Sequence, residues 1–177
     1  SSGGGARGRT LTRLGFFWNS AQGPGPDATG YHGFYYHFPD MQTGRRACKC
    51  ELSTIDSTFL LAGALTAGMY FDAETADESE IRTLADALYR RADWQWAQNQ
   101  GATVAHGWKP ESGFLKYRWK GYDEAMLLYI LGLGSPTHTL SESSYAAWTY
   151  TYRWEHCYGY EYVCYGQLFK HQLSQVG

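Results

Sequence analysis

The sequence predicts an all-α domain with long aromatic loops gathered at one end. Three observations carry this. Apolar residues recur at helical spacing in four segments, most of them bounded by a cap or a breaker. Strand-type alternation is weak along the whole chain. The links between helices alternate between short and long, so antiparallel packing would place the long ones together.

The elements follow in order. Residues 1–30 are rich in Gly, Pro and Ser and read as an irregular N-terminal segment, broken only by Phe16, Phe17 and Trp18. Residues 31–40 are aromatic and extended. The first helix is expected over 53–72. Ser53 and Asp56 form a capping-box pair, and Ile55, Phe59, Ala62, Leu65 and Met69 supply a stripe. The second is expected over 77–98, with Asp77 and Glu80 at its start and Ile81, Leu84, Leu88, Ala92 and Trp96 as its stripe. Trp94 and Trp96 face opposite sides, so at least one belongs to the core. A loop over 99–121 follows. The third helix is expected to start near Tyr122 and to stop at the Gly132, Gly134 and Pro136 breaker; the fourth starts near Ser141. The C-terminal part, with Tyr158, Tyr160, Tyr162 and Tyr165, is aromatic and contains Gly.

In this arrangement the N-termini of helices one and three share an end with the long loops. Asp56 and Glu124 would each sit in a first helical turn there.

Composition excludes several classes. The chain of 177 residues is 44% hydrophobic and 18% charged, which describes a folded domain. Its net charge of −2, with no basic run, argues against a nucleic-acid partner. No apolar run is long enough to span a membrane. The N-terminus lacks the apolar centre of a signal peptide and reads as frayed or truncated. Cys48, Cys50, Cys157 and Cys164 lack zinc-finger spacing and read as packing thiols, with a four-cysteine metal site as the alternative. No cofactor is implied. No GxSxG, P-loop or dinucleotide motif is present.

Aromatic residues make up 17% of the chain, including 15 Tyr and 7 Trp, more than a core requires. They concentrate in residues 107–124 with Trp108, Phe114, Tyr117, Trp119 and Tyr122, beside Glu111, Asp123 and Glu124. Rings stack on the C–H faces of sugars, and paired carboxylates cleave glycosidic bonds. The candidates for acid–base work are Glu51, Asp56, Glu111 and Glu124, with Asp40 and Asp123 behind them. Each has a structural alternative: Asp56 completes a cap, Glu124 complements a helix N-terminus and Glu111 is solvated. Trp108, Trp119, Tyr36, Tyr117 and Tyr122 are candidate sugar-binding rings. Arg118 and Lys109 could bond hydroxyls or form surface ion pairs.

Several segments carry a family resemblance: GFYYHFPDMQTGRR (33–46), ELSTIDSTFLLAGALTAGMYFD (51–72), ADWQWA (92–97), GWKPESGFLKYRWKGYDEAMLLYILGLGSPTH (107–138) and YRWEHCYGYEYVCYGQLFKHQ (152–172). With these the chain resembles the bacterial glycoamylase-like (glucoamylase-family) domain. That group is similar to the endo-β-1,2-glucanases and to the C-terminal domain of cyclic β-1,2-glucan synthases. The resemblance implies part of an (α/α)6 toroid over residues 31–177 and a glycoside hydrolase acting on a β-glucan, β-1,2-glucan favoured, with inversion. It also implies a periplasmic or secreted location and an oligo- or polysaccharide substrate.

On the same resemblance, the family acids fall at Asp56 and Glu124, and Glu51 best matches a further acidic position; Glu124 is expected to be the acid and Asp56 or Glu51 its partner or the base. Ser53 stands where close relatives carry a further acid. A full toroid has more helices than this chain supplies, so further domains of the same polypeptide are expected. The alternative is a non-catalytic carbohydrate-binding domain or an inactive fragment of a larger enzyme.

Overall fold

A computed structural model of the chain describes residues 2–164; Tyr165 and the rest of the 152–172 motif beyond residue 164 lie outside them. Six helices occur among these residues: α1 Ser2–Asn19, α2 Thr54–Tyr70, α3 Ala76–Arg91, α4 Trp94–Gln98, α5 Met126–Leu133 and α6 Ser144–Thr149. The strands are β1 Gly30–Tyr31, β2 Phe34–Tyr36, β3 Leu52–Ser53, β4 Gly107–Lys109, β5 Gly113–Phe114, β6 Trp154–Cys157 and β7 Tyr160–Val163.

The expectation of an all-α array is therefore corrected. The first five strands form one antiparallel sheet in the order β1-β2-β3-β4-β5, and β6 and β7 form a hairpin. The fold is mixed. The physical reason lies in the loops. Phe34, Tyr35, Tyr36, Leu52 and Ser53 of the larger sheet are buried, and buried backbone N–H and C=O groups must find partners. Very short strands supply them. Two hairpins turn on Xaa-Gly pairs with both residues at positive φ: His32 (52°) with Gly33 (80°), and Tyr158 (51°) with Gly159 (81°). Those torsions are the type I′ turn that matches strand twist.

Residues 2–19 form a helix, not the loop their glycines suggest. Propensity is overridden by packing. Leu14 is buried, and Leu11 and Phe17 pack beside it. Arg91 reaches from α3 to donate to the carbonyls of Trp18 and Phe17, both at 2.9 Å, capping the C-terminus of α1.

Helix α2 begins where expected. Ser53 is its N-cap, and its Oγ accepts from Asp56 N at 3.2 Å. Its buried face differs from the expected stripe. Thr54, Ser57, Thr58, Leu61 and Ala64 face inward, whereas Phe59 is partly exposed and Met69 largely so. Ser57 and Thr58 tolerate burial because their hydroxyls bond the carbonyls four residues back, at 2.6 and 2.8 Å.

The short link 71–75 returns the chain along α3. Its cap is Thr75, whose Oγ1 accepts from Glu78 N at 3.3 Å, upstream of the expected Asp77. The second helix also stops at Arg91, and Asp93 starts the separate α4 by accepting from Trp96 N at 2.9 Å. Around α2 and α3 the core holds Phe34, Leu61, Ile81, Leu88, Trp94 and Tyr129, all fully enclosed.

Two glycine substitutions should act with opposite sign on the urea midpoint. At Gly33, φ is +80° and an added Cβ would lie 2.5 Å from Arg91 O, so Gly33→Ala should destabilise by about 1–3 kcal/mol. At Gly63, inside α2, an added Cβ meets nothing within 4 Å, so Gly63→Ala should stabilise by about 0.5–1 kcal/mol.

Candidate functional site

The sheet brings the long loops to the N-terminus of α2. Strand β3 is its centre: Tyr36 pairs with Leu52 on one side, and Leu52 with Trp108 on the other. The next residue, Thr54, is fully buried and joins the 99–121 loop to the helix. Its N donates to His106 O at 3.2 Å, its Oγ1 donates to Ala105 O at 2.8 Å, and it accepts from Trp119 Nε1 at 3.0 Å. Trp119 stacks on His106 with ring centroids 3.8 Å apart.

Two of the predicted acids meet here. His37, just past β2, lies between them. Its Nδ1 is 3.1 Å from Glu51 Oε1 and its Nε2 is 3.5 Å from Asp56 Oδ2. Ser53 Oγ, the helix cap, lies 2.5 Å from the same Asp56 oxygen. All three side chains of this group keep access to solvent: 37% exposure for His37, 31% for Glu51 and 49% for Asp56. Burial opposes the charge on Glu51. Its own backbone N–H, His37 and Lys109 outweigh that, and its carboxyl is held below the usual range.

The third acid comes from the turn before α5. That helix starts at Met126, so Glu124 precedes its first turn instead of sitting in it. Glu124 is half-buried. Its neighbour Asp123 is buried and shapes the turn before the helix, accepting from Ala125 N at 3.0 Å and from Trp148 Nε1 at 2.9 Å. A cavity of about 430 Å³ opens beside this turn, lined by His106, Trp119, Lys120, Tyr122, Asp123 and Arg153. Its His106–Trp119 wall is the pair that bonds Thr54, two residues before Asp56. Neither Asp56 nor Glu124 lines the cavity itself.

The other predicted residues fall into distinct roles. Glu111 forms a two-point ion pair with Arg46 at 2.6 and 3.0 Å. The Arg46 hydrogen bond is the main reason its carboxyl is lowered to about 2. Arg46 lies over the ring of buried Tyr36, 5.0 Å from its centroid, so Glu111 and Tyr36 belong to one brace. Burial is the main cause that pushes the Tyr36 phenol up to about 12. Arg118 donates to the carbonyls of Gln98 and Thr103 and shapes its own loop. Trp119 is 6% exposed, a wall more than a platform.

Trp108 packs with Tyr31 at 5.2 Å and Trp96 at 6.0 Å. Strand alternation puts it on the Leu52 side of the sheet, opposite Glu51 and Lys109. Tyr117 is 61% exposed, and Tyr122 is half-buried at the cavity. Asp40 builds a turn. Its carboxylate accepts from Thr43 N at 2.8 Å and Gln42 N at 3.1 Å, which lowers its pKa. The four cysteines are free thiols, and among the described residues no group of three His, Cys, Asp or Glu side chains could hold a metal.

Sequence reasoning missed His37, because a single His between rings carries no spacing signal. It also missed Trp96, Phe114 and Tyr31 as one cluster around Trp108.

Comparisons with known proteins agree with the resemblance. The family model "Glycoamylase", described as "Putative glucoamylase", matches residues 116–177. An exo β-1,2-glucooligosaccharide sophorohydrolase of Parabacteroides distasonis is 28% identical over 130 residues, covering 68% of this chain and 18% of that protein. The crystal structure of a putative glucoamylase from Bacteroides uniformis superposes with a TM-score of 0.74 at 27% identity, over 86% of this chain and 38% of that one. A β-1,2-glucanase of Parabacteroides distasonis superposes with a TM-score of 0.75 at 22% identity, over 86% of this chain and 22% of that one; at that identity the likeness speaks for fold alone. The chain thus resembles glycoamylase-like proteins and spans well under half the length of each.

The Arg46–Glu111 pair sets a pH dependence. A carboxyl lowered from 4.5 to about 2 contributes stability above pH 4.5, and that contribution is lost as pH falls toward 2. Glu111→Gln should therefore lower the urea midpoint at pH 7, and the difference from wild type should shrink between about pH 4.5 and 2. Equal midpoints at pH 7 would show that the pair is energetically idle.

Proposed function

We propose that this chain supplies an active-site region of a glycoside hydrolase that cleaves a β-glucan, β-1,2-linked, with inversion. The observation that carries the reading is the meeting of Glu51 and Asp56 at the N-terminus of α2, tied through Thr54 to the wall of a cavity that Asp123, the residue before Glu124, also lines. The similarity to the sophorohydrolase supports the choice of substrate.

In this reading Glu124 is the general acid. It protonates the glycosidic oxygen as the C1–O bond breaks. Asp56 or Glu51, charged, takes a proton from a water that attacks C1 from the opposite face. The new C–O bond then has inverted configuration. Such a pair needs a separation of about 6.5–9.5 Å to admit the water. Tyr117 and Tyr122 offer their rings to sugar faces. Trp108, Trp119, Arg118, Tyr36 and Glu111 contribute by bracing the walls. A periplasmic or secreted location and further domains of the same polypeptide belong to the same proposal.

The test is release of reducing ends from β-1,2-glucooligosaccharides by the polypeptide as the cell makes it. Glu124→Gln and Asp56→Asn should each lower kcat by about 10²–10⁴-fold, the usual contribution of a positioned acid or base. Proton NMR of the first product should show the α anomer. Full activity in Glu124→Gln would sink the assignment. Sugar binding without cleavage in the wild type would support a binding domain in place of an enzyme.

A further inference from the structure

The ring of His37 has a carboxylate at each of its nitrogens, and that geometry constrains where protons sit. Nδ1 faces Glu51 Oε1 at 3.1 Å and Nε2 faces Asp56 Oδ2 at 3.5 Å. A neutral imidazole has one N–H and one lone pair. Between two charged carboxylates its lone pair would point at an oxygen, and the contact would repel. An imidazolium has an N–H for each oxygen and makes both contacts attractive.

The ring is also held in place. Phe38 stacks against it, with centroids 4.1 Å apart and planes 11° apart. The His37 backbone N donates to Glu51 O at 2.9 Å. Three separate segments meet at this ring: the end of β2, the approach to β3 and the first turn of α2. The charged groups acting here are Glu51 and Asp56, which face the ring, and Lys109 from β4, which acts on Glu51. Glu51 and Asp56 approach the ring from its two different nitrogens.

We infer that His37 is a positioning residue: as an imidazolium held between Glu51 and Asp56, it pairs with both carboxylates and aims them. The catalytic part of this inference rests on the proposed hydrolase reading; the protonation part does not. For a base that must take a proton from water, the consequence is direct. His37 is one of the groups that hold the Glu51 carboxyl down, so removing it lets that carboxyl rise and moves the acidic limb of the pH–rate profile to higher pH.

Two measurements test this. The first is nitrogen-15 NMR of the wild-type protein labelled on histidine, with the His37 signals assigned by their loss in His37→Gln. Near neutral pH both ring nitrogens should carry a proton, and in the Glu51→Gln/Asp56→Asn double variant one of them should be lost. A singly protonated ring in the wild type, unchanged in the double variant, would overturn the inference whether or not the protein cleaves glucans. The second is kinetics on β-1,2-glucooligosaccharides. His37→Gln should lower kcat about 10²-fold, as expected for misplaced reacting groups, with KM little changed and the acidic limb displaced upward. A variant that only melts earlier and keeps the wild-type pH profile would show that His37 merely packs. Absence of cleavage by the wild type would count against the hydrolase reading, and the NMR result would still decide the state of His37.

Discussion

The structure depends on how Leu52, Ser53 and Thr54 are shared. Leu52 and Ser53 pair with strands on both sides, which makes them the centre of a five-stranded sheet despite being only two residues. Ser53 then caps α2, and Thr54 spends both its hydroxyl and its N–H on the loop that carries His106 and Trp119. Three stretches far apart in the chain are thereby held to the first turn of one helix. A buried hydroxyl left without these partners would carry the full desolvation penalty, on the order of 1–3 kcal/mol. The junction is therefore most stable when complete.

The same constraint explains the chemistry available at this end. Ser53 aims Asp56, His37 joins Asp56 to Glu51, and Lys109 adds a positive field from the neighbouring strand. Charged groups gain most from a fixed geometry when some of them are partly shielded from water. Arg46, almost wholly enclosed with its side chain 2% exposed, plays the equivalent part for Glu111 on the other side of the loop. An enclosed cation requires a partner, and Glu111 satisfies it. That ion pair gives Glu111 a structural task.

The likeness to glycoamylase-like proteins concerns shape as much as residues. Solved structures 27% and 22% identical to this chain superpose on it with TM-scores of 0.74 and 0.75. Core positions such as Leu61, Leu88 and Leu128 can exchange among apolar residues of similar volume. Caps and turns are less forgiving, because Ser53 supplies a specific acceptor and Gly33 a specific backbone torsion.

Local chemistry was legible in the sequence alone. The Ser53–Asp56 cap, the start of α2 and the breaker after α5 all follow from interactions a few residues long. Tertiary structure decided the rest. It chose the Thr54–Ser57–Leu61 face of α2 over the more apolar Phe59–Met69 stripe, because back-bonded hydroxyls made that face nearly apolar. It turned the glycine-rich start into α1, because Arg91 and the α3 surface satisfied that helix from outside. It paired Glu111 with an arginine 65 residues away and set His37 between two acids. No spacing rule encodes such meetings. They arise only when buried backbone groups of distant loops must hydrogen-bond one another, and the side chains they carry are brought together as a result.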